Sequence, residues 1–467
     1  MDTQKFNWRD FLMKVAVIAV PVALQNLLTT TGSMVDTMMI SSLGKTEVGA
    51  VGLCAQFSSL MFSCYWGFVG GGMLFFSQYW GAKDDDGINR SYGLTLTCMM
   101  TVGMIFGALA LFFPETVMKL YTDKEAIQRI GVEYLRIVGF AYPLIVLTMA
   151  MASLLRSTER VTIPMFGSFA AVGVNIFLNW VLIFGNLGSP AMGVRGAALA
   201  TVISQGVSAG VVALLAWRNR HPYLFSVRRH FRWTRELVRS YFRKCFPILM
   251  NEILIGAGNM IINVVLGRQP EDAIAALAVF RTLEGLIIGF FAGFANAASI
   301  LVGKEVGAGN IDVAYRRAWR LVYLCQSIIG CVCLLLVLLH TPILNMMGMT
   351  GDSFSIAFGM IAIFGVVAII RMGNWTQNDT FRAAGDATFG TVLEIVFMWT
   401  MVIPCVWLTG MVWKLPTLAV FVCCYIDEPI RYVMMQVHLF RGKWIKPVTP
   451  EGKRAIIGWT PPRKKTA

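Results

Sequence analysis

Charge is what this chain of 467 residues has least of: 14% of it is Asp, Glu, Lys or Arg, against the ~25% usual in soluble domains. A surface so poor in charge cannot cover a water-facing globule. Histidine is rarer still, with four scattered residues, and none stands at zinc-ligand spacing from a cysteine. The ten cysteines lie in or beside apolar stretches, where they read as small packing residues. No Ser/His/Asp grouping, metal-ligand cluster or nucleotide loop is present, so no enzyme and no resident cofactor are expected. Leu43-Gly44-Lys45-Thr46 resembles the end of a phosphate loop, but Met39 stands where its opening glycine belongs. Short alternating strands are absent as well, which argues against a membrane barrel. A cleavable leader is not expected, because the first apolar stretch is too long and has no convincing small-residue cleavage site.

What fills the chain instead is apolar: 56% of it is hydrophobic, with 31 Phe, 27 Met and 44 Gly, which suits lipid-facing surfaces and close helix approach. Segments long enough to span a bilayer fall near 12–41, 49–80, 91–113, 130–155, 163–185 and 194–217. A second set falls near 245–267, 274–302, 318–340, 354–381, 388–411 and 417–440. The expected fold is an all-α polytopic membrane protein of twelve transmembrane helices. The Asn374 and Asn378 sequons fall inside one of these spans and carry no weight.

The two sets are one pattern written twice, 226 residues apart. Pro21 pairs with Pro247, Gly32 with Gly258, Met34 with Met260 and Gly67 with Gly293. Gly81-Ala82 pairs with Gly307-Ala308, Gly139 with Gly365 and Arg156 with Arg382. Six spans per copy put both copies into the membrane in the same orientation, as a parallel repeat. Residues 1–217 then form an N-terminal six-helix lobe and 245–440 a C-terminal one, with a central cavity expected between them. Residues 218–244 are a linker and 441–467 a tail.

Basic residues set the orientation. The linker carries Arg218, Arg220, Arg228, Arg229, Arg232, Arg235, Arg239, Arg243 and Lys244 against the single acid Glu236. The tail adds Arg441, Lys443, Lys446, Lys453, Arg454, Arg463, Lys464 and Lys465, whereas loops 186–192 and 341–352 have no Lys or Arg. By the positive-inside bias both termini and the linker are cytoplasmic. The net charge of +14 therefore reads as topology, and no nucleic-acid partner is expected. The linker is either an amphipathic helix on anionic lipid or a connector whose charges only set topology.

Ionisable groups within apolar helices are costly and conspicuous. Asp36 sits in the outer half of the first span, where it is either a proton-exchanging carboxylate or a water-exposed helix-end acid. Asn175 and Asn179 share a face at i,i+4 on the fifth span, as interhelical glue or a coordination shell. Glu252, on the seventh span, either lines a cavity or joins a structural pair. Arg281 and Glu284 at i,i+3 read as an internal ion pair, and Arg371 and Asp379, two turns apart on the tenth span, are candidates to share a face. Glu394, Asp427 and Glu428 are further acids in the second half.

These residues resemble the multidrug and toxic compound extrusion (MATE) transporters. The resemblance is carried by Pro21-Val-Ala-Leu-Gln25 with Val35-Asp36-Thr37, by Gly81-Ala82-Lys83-Asp84, and by Asn175-Ile-Phe-Leu-Asn179 leading to Ile183-Phe184-Gly185. It continues in Gly193-Val-Arg-Gly-Ala-Ala-Leu-Ala-Thr201, Gly307-Ala308-Gly309-Asn310 and Phe381-Arg382-Ala383-Ala384-Gly385-Asp386. It implies two lobes in a V around a central cavity, and export of varied, often cationic and lipophilic compounds against protons or sodium ions. It also implies that Asp36, Asn175 and Thr201 hold the coupling cation, with Asn179 where many members have aspartate. Glu252 resembles the acid of a second-lobe cation site, but Arg371 stands where that site needs another acid. The implied protein is a monomer of a bacterial inner membrane, with lipid and small organic substrates as its partners.

A lipid-linked oligosaccharide flippase is the alternative within the same architecture, and it calls for several basic residues inside the cavity. Here the interior candidates other than Arg281 and Arg371 are mostly acids and amides, which favours cationic cargo. Asp36 occurs in one copy only: Ile262 is its mate, Asn26 is the mate of Glu252, and Met401 that of Asn175. The scaffold is duplicated, the polar chemistry is not, and the coupling site is expected in the N-terminal lobe.

Overall fold

In lipid every backbone N–H and C=O must bond within its own segment, so long apolar runs become helices. The computed structural model describes residues 7–462; Arg463, Lys464 and Lys465 of the basic tail lie outside them. The described residues are helical almost throughout, and the one pairing of strand type is an isolated bridge between Gly385 and Ile445.

In the first half the long helices are α1 (Trp8–Ser41), α2 (Lys45–Ala82) and α3 (Asp85–Phe112). After the short α4 (Pro114–Tyr121) come α5 (Glu125–Val138), α6 (Ala141–Ser157), α7 (Thr162–Phe184) and α8 (Val194–Arg218). One helical turn, α9 (Val227–His230), lies in the linker. The second half holds α10 (Arg235–Leu266), α11 (Glu271–Gly307), α12 (Ile311–Leu338), the short α13 (His340–Met346) and α14 (Gly351–Ala383). It ends with α15 (Phe389–Val412), α16 (Thr417–Cys423), α17 (Glu428–Arg441) and α18 (Pro450–Ala455).

Among the described residues ten helices are long and apolar enough to cross a bilayer, and eleven if α5 and α6, which meet at a 49° bend, are counted as one span. The twelfth expected segment is broken. A turn at residues 424–427 divides α16 from α17, and Asp427, Glu428 and Arg431 interrupt the apolar run. In α15, Pro404 has no N–H to donate, and the helix widens into π turns at Met398–Val402 and Leu408–Val412.

The helices group into two compact units, one of Pro21–Phe76 with Asp84–Cys245, the other of Phe246 onward with Ser77–Lys83 and the start of α1. In the first, α7 packs along α8 and α3 against α6; in the second, α14 packs along α11 and α12.

The repeat reappears in the packing inside each unit. A Cβ on Gly32 would stand 2.8 Å from Val172, and one on its mate Gly258 2.9 Å from Met398, the mate of Val172. Gly139 faces Leu111 at 3.0 Å as Gly365 faces Val337 at 3.2 Å, again mates. Within the second unit the ends of α2 and α11 cross reciprocally. Gly81 lies on the carbonyl of Lys304 and Gly307 on that of Gln78, with no room for a side chain at either glycine. Residues 78 and 304 are themselves mates, so the contact is self-complementary, as across a local two-fold axis.

Candidate functional site

The first unit gathers its polar residues around Asp36. A single charge on the long apolar face of α1 meets the asparagine face of α7. Asn179 donates to Asp36 Oδ1 at 2.6 Å and to Asn175 Oδ1 at 3.2 Å. Asn179 is fully buried, and its own Oδ1 has no partner. Asp36 is half-buried and makes no ion pair with any described Lys, Arg or His. The Thr201 hydroxyl is bonded to Ala197 O at 3.0 Å, and Tyr134 of α5 lies near the Thr201 side chain. Tyr134 had no signal in the sequence, where it is one aromatic residue among charges. Three of the four residues expected here, Asp36, Asn175 and Asn179, thus form one bonded chain, whereas Thr201 spends its hydroxyl on its own helix.

The acids of the second unit are held differently. Glu284 is 4% exposed and accepts from Arg281 at 2.7 Å, from Arg371 at 2.6 Å and from the Tyr425 hydroxyl at 3.3 Å. Arg371 also approaches Glu428 at 3.9 Å and stands over the Tyr425 ring at 5.4 Å. Asn374 donates to Glu428 at 2.7 Å, while Arg431 pairs with Asp427 at 2.9 Å and with Glu394 at 3.6 Å. A cavity of about 110 Å³ opens among Arg281, Arg371, Arg431, Glu394, Asp427 and Glu428.

Arg371 and Asp379 do not come together. Eight residues overshoot two helical turns by about 80°, and Asp379 lies 3.9 Å from Arg382 instead. Glu252 approaches the same guanidinium at 3.7 Å.

A third arrangement, whose partners the sequence does not show, is kept in part by both units. In the first, buried Arg156 donates to Gln25 at 2.8 Å, and Gln25 donates to Ser168 at 2.7 Å. In the second, Asn251, the mate of Gln25, donates to Glu394, the mate of Ser168, at 3.2 Å. Arg382, the mate of Arg156, is the cation beside Glu252 and Asp379.

A duplicated helical bundle that keeps a few ionisable side chains inside apolar helices is built as secondary membrane transporters are. A family model described as MatE matches the chain twice, over residues 21–181 and 247–408, starting at the paired prolines of the repeat. The chain belongs to the MatE family, that of the MATE membrane transporters.

Relatives span nearly the whole length. The probable multidrug resistance protein YoeA of Bacillus subtilis (strain 168) is 26% identical over 90% of this chain and 91% of its own. The multidrug export protein MepA of Staphylococcus haemolyticus is 22% identical over 92% of this chain and 96% of its own. A solved structure of a multidrug resistance MATE family transporter in an outward-facing conformation superposes with a TM-score of 0.82 at 18% identity. It covers 91% of this chain and 95% of that one, and the likeness shows the fold.

Proposed function

We propose that the protein exports lipophilic organic cations across a bacterial plasma membrane, in exchange for protons or sodium ions that bind at Asp36. The supporting observation is electrostatic. Asp36 has no cationic partner among the described residues, and beside it the buried Asn179 presents an unbonded oxygen. An acid in that setting takes its compensating charge from outside the protein: a proton, a sodium ion or the cargo. Carboxylate and amide oxygens from Asp36, Asn175 and Asn179 suit either coupling ion, since hard cations take oxygen ligands.

Binding of the ion removes the charge that holds a cationic substrate, so the two compete for one carboxylate. An ion shifts the outward–inward equilibrium only through its differential affinity for the two states. Thr201 and Tyr134 position the α8 and α5 side of the site. Met and aromatic side chains that repack around varied apolar bodies account for loose selectivity. Arg281, Arg371, Arg382 and Arg431 of the second unit already stand against carboxylates, which weighs against a diphosphate cargo and so against a flippase. In this reading the protein works as a monomer with both termini in the cytoplasm, and Glu252, Glu284, Arg281, Arg371 and Asp379 maintain the second lobe rather than couple the ion.

The test is efflux of a fluorescent organic cation from liposomes holding the purified protein, with proton and sodium gradients imposed separately. Wild type should respond to at least one gradient and Asp36→Asn to neither. A gradient response that survives Asp36→Asn would overturn the assignment.

A further inference from the structure

The linker between α8 and α10 is more than a tether. Its chain alternates between side chains driven into the first unit and side chains turned outward. His221 is buried with its Nε2 3.1 Å from the Thr158 hydroxyl, and Tyr223 donates to Asp85 at 2.6 Å. His230 is buried 2.8 Å from the Tyr223 carbonyl, in space left by Gly93. Burial and the nearby Arg160 push the His221 imidazole down to about 4, so it stays neutral and the anchor holds at physiological pH. The segment is therefore a fixed platform on the end of α3.

Its outward face has an unusual composition. Trp217 (68% exposed), Phe231 (60%), Val227 (59%) and Phe225 (47%) stand among the exposed Arg218, Arg220, Arg228, Arg229 and Arg232. None of Arg228, Arg229 and Arg232 forms an ion pair with a described residue. The nearby acids are engaged: Asp84 caps α3 at Gly87, Asp85 accepts from Tyr223, and Asp86 lies 3.9 Å from Arg90. A tether in water has no reason to expose large aromatic side chains, and an aqueous face has no reason to keep them rigid. Aromatic bodies interleaved with guanidiniums are what the boundary between headgroups and acyl chains accommodates. The segment joins two membrane spans, so it lies at that boundary by connectivity.

We propose that residues 217–232 are a docking platform for anionic phospholipid. Guanidiniums of Arg228, Arg229 and Arg232 take the phosphates bidentately, while Phe225, Val227 and Phe231 enter the acyl boundary. The helical turn α9 is too short to be an amphipathic helix; rigidity comes from the buried histidines and Tyr223.

The test is a titration of full-length protein in detergent with fluorophore-labelled phosphatidylglycerol and, separately, with labelled phosphatidylcholine. Wild type should prefer the anionic lipid. The triple variant Arg228→Gln/Arg229→Gln/Arg232→Gln should bind phosphatidylglycerol roughly a hundredfold more weakly and phosphatidylcholine as before. Its thermal unfolding in detergent alone should not change, because these side chains are exposed and unpaired. Phe231→Ser, which keeps every charge, should weaken both lipids alike. Equal affinity of wild type for the two lipids, or an unchanged preference in the triple variant, would overturn the proposal. So would competition by inorganic phosphate as strong as that by the lipid, or tighter binding of single-stranded RNA.

Discussion

The two halves descend from one pattern, yet they treat a carboxylate within an apolar helix in opposite ways. In the first, Asp36 is held by the Asn179 amide and meets no cation among the described residues. In the second, Glu284 is clamped between two guanidiniums, and Glu394, Asp427 and Glu428 share a third. An unpaired acid inside a membrane helix is expensive and stays available to exchange its counter-charge. A paired one has its compensation built in. Under the proposed function, the difference separates a carboxylate left free to exchange an ion from carboxylates already committed to guanidiniums.

The largest effect that tests this division is on transport itself. Asp36→Asn keeps the size and the amide contact but removes the exchangeable charge, and gradient-driven efflux should fall to the level seen without a gradient. Glu284→Gln, measured in the same liposomes, should leave the dependence of efflux on the gradient unchanged in whatever protein folds. The opposite outcome, with Glu284→Gln uncoupled and Asp36→Asn coupled, would move the ion site to the second half.

Next in size is a stability effect. Removing the charge of Glu284 leaves Arg281 and Arg371 without their shared anion, and because both guanidiniums reach solvent the loss should fall below the ~3–5 kcal/mol of breaking a fully buried pair. Glu284→Gln should lower the thermal unfolding midpoint in detergent accordingly. Replacing Arg371 as well removes the stranded charge, so Glu284→Gln/Arg371→Gln should recover part of the loss. A double variant no more stable than Glu284→Gln alone would mean that the clamp is not the source of the effect.

The scaffold the halves share can be tested by its mates. Gly81 and Gly307 occupy equivalent places in the reciprocal crossing of α2 and α11, each against a backbone carbonyl that cannot swing aside. Gly81→Ala and Gly307→Ala should each destabilise by about 1–3 kcal/mol or more, and by similar amounts. Strongly unequal midpoints for the two variants would show that the local two-fold is geometric only.

Much of this was legible in the sequence because lipid simplifies the code. Long apolar runs mark spans, a charge such as Asp36 stands out against them, and i,i+4 spacing puts Asn175 and Asn179 on one face without knowledge of any other helix. The repeat marked Gly81, Gly307, Arg156 and Arg382 as special but gave no reason. The reasons lie in partners far along the chain: Lys304 for Gly81, Gln25 for Arg156, Glu252 for Arg382. Such pairings depend on how helices rotate against one another, which apolar periodicity leaves open when almost every face is apolar. The same gap hid Tyr134 beside Thr201, and it let Arg371 and Asp379 be set together when their helix turns them apart. The break between α16 and α17 was masked because its charged residues are compensated partly by one another and partly by groups distant in the chain, Asn374 and Arg371 for Glu428 and Glu394 for Arg431.

The smallest effect lies where the copies diverge at a helix end. The turn after α14 places Gly385 in the left-handed region at φ 100°, and its mate Glu159 after α6 adopts φ 63°. The next residue is Asp386 in one copy and Arg160 in the other. Arg160 is exposed, whereas Asp386 is buried and accepts from His438 and from Lys446, each at 2.9 Å. Burial alone would raise the Asp386 carboxyl, but the bonds from His438 and Lys446 outweigh it and hold the group below its ordinary value. A carboxylate with a depressed folded pKa stabilises the protein at pH above its unfolded value of about 4. That contribution is lost as the pH falls through the lower folded value. Asp386→Asn should therefore cost about 2 kcal/mol near neutral pH, read as a lowered unfolding midpoint, and the gap from wild type should close only below about pH 4. Arg160→Ala, at the exposed mate, should leave the midpoint where it is. A gap that already closes between pH 5 and 7 would mean that Asp386 is not the ionised acceptor at this turn.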